Sequence, residues 1–197
     1  EATEDFLQMA GAGKDREILM KSSWDNARSR LPWLFASWVG GVCAAAIIGI
    51  FDNTLQSTLA LAAFIPVVIG MGGNIGTQTS TLVVRGLATG RVNVGNNINI
   101  IFKEIRVGLI LGILYGLLLG LFAIMSFVDI SPYLGLVVGL AIACSMLIAT
   151  AFGSLVPLLL HRMDIDPAIA TGPFVTTSID ILGVTLYFVI AKIFLPV

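Results

Sequence analysis

An aspartate sits near the middle of TGPFVTTSIDILGVTLYFVIAKIFL, residues 171–195, a run otherwise apolar enough to lie in a lipid bilayer. A carboxylate at that depth costs roughly 2.5–3.5 kcal/mol on insertion scales, so Asp180 needs a compensating partner. Thr176 lies four residues before it, Thr177 three before and Gly183 three after, which puts all of them on one helix face. That face is small and oxygen-bearing, leaving Leu182, Val184, Tyr187 and Phe188 mainly to packing. A second polar cluster falls in PVVIGMGGNIGTQTSTLVVRGLATG, residues 66–90. Gly70, Gly72, Gly73 and Gly76 there predict a flexible or broken helix, accompanied by Asn74, Thr77, Gln78, Thr79 and Ser80. Broken helices inside membranes occur where exposed backbone is buried in protein or lines a water-filled path.

Two chemistries compete for Asp180. It could be protonated, or bonded to a threonine, and merely pin helices together. Alternatively its partner is a cation, since intramembrane carboxylates usually mark ion or substrate pathways. One carboxylate is thin compensation for a divalent ion, whereas a two-fold dimer with the path on its axis supplies two. Without the ion, two such carboxylates would repel and take up a proton. The available donors are carboxylate, hydroxyl, amide and backbone oxygens, with Asp180, Thr176 and Asn74 as the first candidates. No cysteine or histidine is placed to help, which argues against zinc and copper. Mg²⁺ keeps several waters and takes one or two carboxylates, so it fits; Ca²⁺ usually wants more direct oxygens, and Mn²⁺ stays compatible. Ser154, seven residues before the single histidine, His161, hints at a hydrolase, but a nucleophile also needs an orienting group and an oxyanion site, and neither is visible. No enzymatic activity is expected.

The elements that must position these residues follow from composition. The chain of 197 residues is 57% hydrophobic and 12% charged, with a mean hydropathy of +0.96. Soluble domains carry about 25% charged residues, so a membrane protein is indicated. Five apolar segments, Leu31–Phe51, Thr54–Gly73, Ile105–Val128, Tyr133–Leu160 and Gly172–Leu195, are each long enough to cross a hydrocarbon core of about 30 Å. The predicted fold is an all-α membrane bundle of five transmembrane helices per subunit, and no other span carries an acid at depth. Lys14, Arg16, Lys21, Arg28 and Arg30 precede the first span, Arg85, Arg91, Lys103 and Arg106 flank the second connection, and Arg162 lies in the fourth. Only Lys192 falls on the other side, which puts the N-terminus inside and the C-terminus outside. Cys43 and Cys144 fall within apolar runs and read as packing residues rather than a disulfide or metal pair.

Residues 1–30 read as a separate amphipathic cytosolic element and 31–197 as the membrane domain. The third span carries Gly108, Gly112, Gly116 and Gly120 at four-residue spacing, a stripe that permits close backbone approach. It serves either packing within one subunit or a subunit interface. Pro66 and Pro157 should bend their helices.

The stretches PVVIGMGGNIGTQTSTLVVRGLATG and DPAIATGPFVTTSIDILG resemble the paired signatures of the MgtE family of magnesium channels. The similarity extends from EATEDFLQMAG at the start, through RSRLPWL at the first span, over essentially the whole chain. It implies a homodimer with the ion path between subunits and a hydrated Mg²⁺ held by Asp180 of both. It also implies that residues 1–30 are a plug-like connecting helix, following cytosolic N and CBS domains absent from this sequence. Glu1, Asp5 and Asp166 match positions that take part in inner-side, regulatory Mg²⁺ sites. The function expected is passage of Mg²⁺ down its gradient across a bacterial inner membrane, with lipid around the protein and no nucleic-acid partner. The alternatives are a proton- or sodium-coupled carrier using Asp180 as its switch, and a non-transporting anchor, which would not need the polar TTSID face.

Overall fold

The computed structural model describes residues 22–92, 97–128, 131, 133–168 and 172–195. Among the described residues there are six helices and no strand: α1 Ser23–Ile50, α2 Asp52–Ser57, α3 Ala60–Ala88, α4 Asn97–Ser126, α5 Leu134–Arg162 and α6 Pro173–Phe194. All but α2 are long and apolar enough to cross a membrane, which makes the chain a multi-pass membrane protein. Ser22 starts α1 as its N-cap, accepting from the Asp25 N–H at 3.3 Å while donating to the Asp25 carboxylate at 2.7 Å. The helix therefore runs without a break from Ser23 through Arg30 into the first apolar span.

Helices α3, α5 and α6 pack against one another and form the centre, with α4 laid along α5 and α1 along α6. Leu61, Phe64 and Val68 of α3 meet Val137, Val138 and Ile142 of α5 and Val175, Ile179, Tyr187 and Phe188 of α6 in one apolar core. Tyr187 is fully buried and its hydroxyl donates to the Leu61 carbonyl at 2.9 Å, satisfying a polar atom that lipid would leave bare. Val184 and Phe188 are buried as expected, but Leu182 is 39% exposed and points away from the core. Phe51 stacks on Phe188 with ring centroids 5.3 Å apart.

The glycine-rich stretch of residues 66–90 differs from the sequence expectation. It is not broken: α3 passes through Pro66 and all four glycines as one helix, and the second span runs to Ala88 rather than stopping at Gly73. The reason is that three of these glycines are notches for neighbours. A Cβ on Gly72 would meet Ser145 Oγ at 2.6 Å, one on Gly76 would collide with Ile179, and one on Gly73 would meet Asp180 Oδ1 at 3.3 Å. Gly70 alone of the four has open space.

The four-residue stripe on α4 serves packing inside the chain. Gly108 faces Thr150, Gly112 faces Ala143, Gly116 faces Gly139 and Gly120 faces Gly135, all on α5. A Cβ on Gly116 would lie 2.6 Å from the Gly139 carbonyl oxygen, an obstacle of backbone that no rotamer change removes. Replacing Gly116 by Leu is expected to separate α4 from α5 and destabilise the bundle by about 1–3 kcal/mol or more, as overpacking does. Thermal unfolding in detergent checks this, with Gly49→Ala, a site with open space around it, expected to leave the midpoint unchanged.

Candidate functional site

Pro173 occupies the first turn of α6, where its missing N–H is no loss. Asp180 follows two turns later, about 10 Å along the helix at 1.5 Å per residue. Its side chain is half-buried against Gly73 of α3. The Thr177 methyl fills the notch left by Gly40 of α1, and the Thr176 hydroxyl donates to the Pro173 carbonyl at 3.2 Å. Thr176, Thr177 and Asp180 line one open cleft of about 380 Å³, together with Ser37, Gly40, Gly41, Ala44, Ala45 and Ile48 of α1 and Ile69 of α3. Among the described residues no side-chain or backbone donor is hydrogen-bonded to the Asp180 carboxylate. The threonines that share its face do not neutralise it, so the helix-pinning reading loses its bond.

A second cleft of about 540 Å³ is lined by Asn74, Thr77, Gln78, Thr81 and Leu82 of α3. Positions 74, 77, 78 and 81 share one helix face, and Asn74 and Gln78 are exposed on it. A row of amides and hydroxyls on a helix of spanning length is not a lipid-facing surface; it belongs against protein or a water-filled path.

The candidate residues therefore divide. Asp180 and Thr176 come together in the first cleft. Asn74 follows Gly73, which touches Asp180, yet it opens into the second cleft. Asp166 lines neither; its Oδ1 accepts from the Ala168 N–H at 3.0 Å in the segment between α5 and α6. Glu1 and Asp5 lie outside the described residues. Among the described residues no group of three or more His, Cys, Asp or Glu side chains is assembled for a metal. Ser154 is buried with its hydroxyl donated to the Ala151 carbonyl, and His161 is exposed at the end of α5, so they form no catalytic pair. Both cysteines are free.

Two features escaped the sequence reading. The first is the α1 wall of the Asp180 cleft: Ser37, Gly40, Gly41 and Ala44 follow helical spacing of small residues, a signal present in the chain but masked by its apolar surroundings. The second is Glu104. Hydropathy placed the start of its span at Ile105, but α4 begins at Asn97, so a second carboxylate lies two turns inside a membrane-length helix. Thr79, 3% exposed, donates to Glu104 Oε2 at 3.3 Å.

A carboxylate in a cleft between membrane-length helices is the usual mark of an ion or substrate pathway in a polytopic membrane protein. Comparison with known sequences agrees. The model of the MgtE family, described as divalent cation transporter, matches residues 65–190. The chain is 37% identical over 195 residues to a magnesium transporter MgtE of Bacillus subtilis, covering 99% of this chain and 43% of that protein. It is 35% identical over 198 residues to a magnesium transporter MgtE of Enterococcus faecalis, covering 99% and 42%. Against a magnesium transporter MgtE of Thermus thermophilus it is 33% identical over 198 residues, covering 99% and 43%. The chain belongs to the MgtE family. It spans less than half the length of these relatives.

Gly40 is where α1 bears on α6, so its size controls the cleft. Gly40→Val is expected to drive α1 away from Thr177 and lower stability by about 1–3 kcal/mol. The neighbouring Gly41→Ala, with nothing near its would-be Cβ, is expected to be tolerated. The two melting midpoints in detergent check the difference.

Proposed function

We propose that this chain forms the membrane pathway of a Mg²⁺ channel, in which a hydrated Mg²⁺ is held by Asp180 of two subunits on a two-fold axis. The observation that carries this reading is the Asp180 carboxylate itself: half-buried within a membrane-length helix, lining an oxygen-bearing cleft, and bonded to no donor among the described residues. Two such carboxylates match the 2+ charge, and the polar row of Asn74, Thr77, Gln78 and Thr81 supplies further oxygens along the path. Six waters at about 30 Å³ each occupy about 180 Å³, so a cleft of about 380 Å³ leaves room for an ion that keeps its shell. Thr176 meets that shell rather than the ion, and Asn74 meets it further along the path, in the second cleft.

The basic residues support an orientation. Arg28 and Arg30 near the start of α1, Arg85 near the end of α3, Lys103 and Arg106 in the first turns of α4 and Arg162 at the end of α5 favour those ends facing inward by the positive-inside rule. An inside-negative potential is worth about 2.3 kcal/mol per charge per 100 mV, so inward Mg²⁺ flow needs no second ion. Retained waters keep binding weak enough for release. Residues 1–30 connect this pathway to cytosolic regulatory domains of the full-length protein, and Glu1, Asp5 and Asp166 contribute to inner-side Mg²⁺ sites that close it. The relatives named as magnesium transporters, about twice as long as this chain and all from bacteria, support both the ion and a bacterial plasma-membrane setting.

A second reading, a proton- or sodium-coupled carrier, gains one observation: Glu104, between Lys103 and Arg106 near the inner end of α4, gives a second helix a carboxylate, which such carriers often use. Voltage-driven Mg²⁺ uptake into proteoliposomes, with equal pH and no sodium gradient, separates the two. The channel predicts uptake without proton movement, reduced about tenfold or more by Asp180→Ala as the ion loses its counter-charge. A requirement for a pH or sodium gradient would favour the carrier, and a fully active Asp180→Ala would remove Asp180 from the path. Asp180→Asn isolates charge: it is expected to lose selectivity for divalent over monovalent cations.

A further inference from the structure

The bond between Thr79 and Glu104 lies away from the ion path proposed above, on the far flank of α3. At 100° per residue Thr79 points about 140° away from Asn74 and hence from the polar row. Most hydroxyls in these helices fold back on their own backbone: Thr77 to the Gly73 carbonyl at 2.9 Å, Ser178 to Phe174 at 2.8 Å, Thr185 to Ile181 at 2.7 Å. Thr79 instead reaches across to a carboxylate on another helix, although α3 and α4 meet only through long side chains such as Phe64 and Phe122 and not by close backbone approach. Both of those helices bear on α5. A Cβ on Gly153 of α5 would sit 2.6 Å from the Gly76 carbonyl of α3, and Gly108 of α4 is pressed against Thr150 of α5. Thr79 is three residues beyond Gly76 and Glu104 four residues before Gly108, so their bond closes the α3–α5–α4 triangle one turn past both contacts.

At Gly76 the α3 backbone is notched against Ile179, and from there on it carries Thr77, Gln78 and Thr81 of the polar row on its outward side. Rotating that half of the helix would turn Gln78 and Thr81 from the path towards α6 or α4. We propose that Glu104 is a positioning residue for the ion path: by accepting from Thr79 it fixes the rotation of the inner half of α3, and so the direction in which Gln78 and Thr81 face. It touches no ion in this role. An amide at position 104 retains an oxygen that can accept the same bond, whereas removing either partner releases the helix. This rests on the polar row lining a path, as proposed above.

The experiment has two readouts in the intact protein with Cys43 and Cys144 replaced by alanine. The first is labelling of Thr81→Cys by a membrane-impermeant thiol reagent, which does not depend on Mg²⁺ flux. The second is voltage-driven Mg²⁺ uptake. Glu104→Ala and Thr79→Val are each expected to slow labelling and uptake about tenfold, and together to do no more than either alone, as partners in one interaction do. Glu104→Gln and Thr79→Ser are expected to restore both readouts to within about threefold of the parent, because each keeps the bond. Thr79→Val is near-isosteric, so it speaks even if Glu104→Ala folds poorly. Unchanged labelling in Thr79→Val would overturn the positioning role alone. Loss of uptake in Glu104→Gln with normal labelling would also overturn it and assign Glu104 a charge-dependent step. No labelling of Thr81→Cys in the parent would overturn the path reading, and this proposal with it.

Discussion

The polar side chains within the spanning helices are constrained by a medium that offers no hydrogen bonds. In water an unpaired hydroxyl or amide is solvated at no net loss, whereas in hydrocarbon each one costs several kcal/mol unless protein or trapped water meets it. The chain answers that demand locally almost everywhere. Thr77, Thr150, Ser154, Thr176, Ser178 and Thr185 return their hydroxyls to carbonyls three or four residues back, and Tyr187 finds the Leu61 carbonyl across the core. What remains after this local closure is informative. Ser80 and Ser145 keep buried hydroxyls without a partner inside the bundle, whereas Asp180, Asn74 and Gln78 sit on two faces that the single chain leaves open. An open polar face on a spanning helix requires water, an ion or another subunit, which is the physical root of the proposed two-fold path.

The same medium explains how the helices are joined. Lipid supplies no hydrophobic drive for helix association, so close backbone contact does the work. The α4–α5 seam is built from Gly108, Gly112, Gly116 and Gly120 against Gly135, Gly139, Ala143 and Thr150, and the α3–α5 contact from Gly76 against Gly153. The glycines of α3 thus serve the same end as those of α4. In a water-soluble chain GMGGNIG would be read as a break, because glycine there surrenders backbone entropy for little return. Within a packed membrane bundle the missing Cβ is itself the gain, and the helix continues through Pro66 and Gly76 without interruption.

That contrast marks what was legible in the sequence. Spans are written in hydropathy, and the five apolar segments correspond one for one with the five long helices. The shared face of Thr176, Thr177 and Asp180 is written in helical spacing, and the three side chains do line one cleft. Pairing between helices is not written in either. The Gly108 stripe shows that something comes close but not what, because its other half, Gly135 and Gly139, lies on a different helix. Glu104 was lost for a related reason: hydropathy averages over a window, so a span edge drawn at Ile105 excluded a carboxylate whose helix starts at Asn97. The small-residue wall of α1 was invisible because Ser, Gly and Ala among Val and Ile change mean hydropathy little while changing shape a great deal.

Helix α3 is where these threads meet. On one flank Gly73 is the floor beneath Asp180, on the other Thr79 holds Glu104, and between them runs the row from Asn74 to Thr81. Two carboxylates from two different helices therefore act on a single element that carries no charge of its own between Ala60 and Val84. Such an arrangement separates binding from alignment. A charge on α3 would have to serve both, and any rotation of the helix would then change ion affinity and path geometry together. In the proposed channel, with the carboxylates on α6 and α4, Asp180 would set the attraction for the cation, while the neutral row on α3 would offer weak, exchangeable contacts to its waters. Fast passage of a tightly hydrated divalent ion calls for that division, since an ion held by charge at every step would not leave.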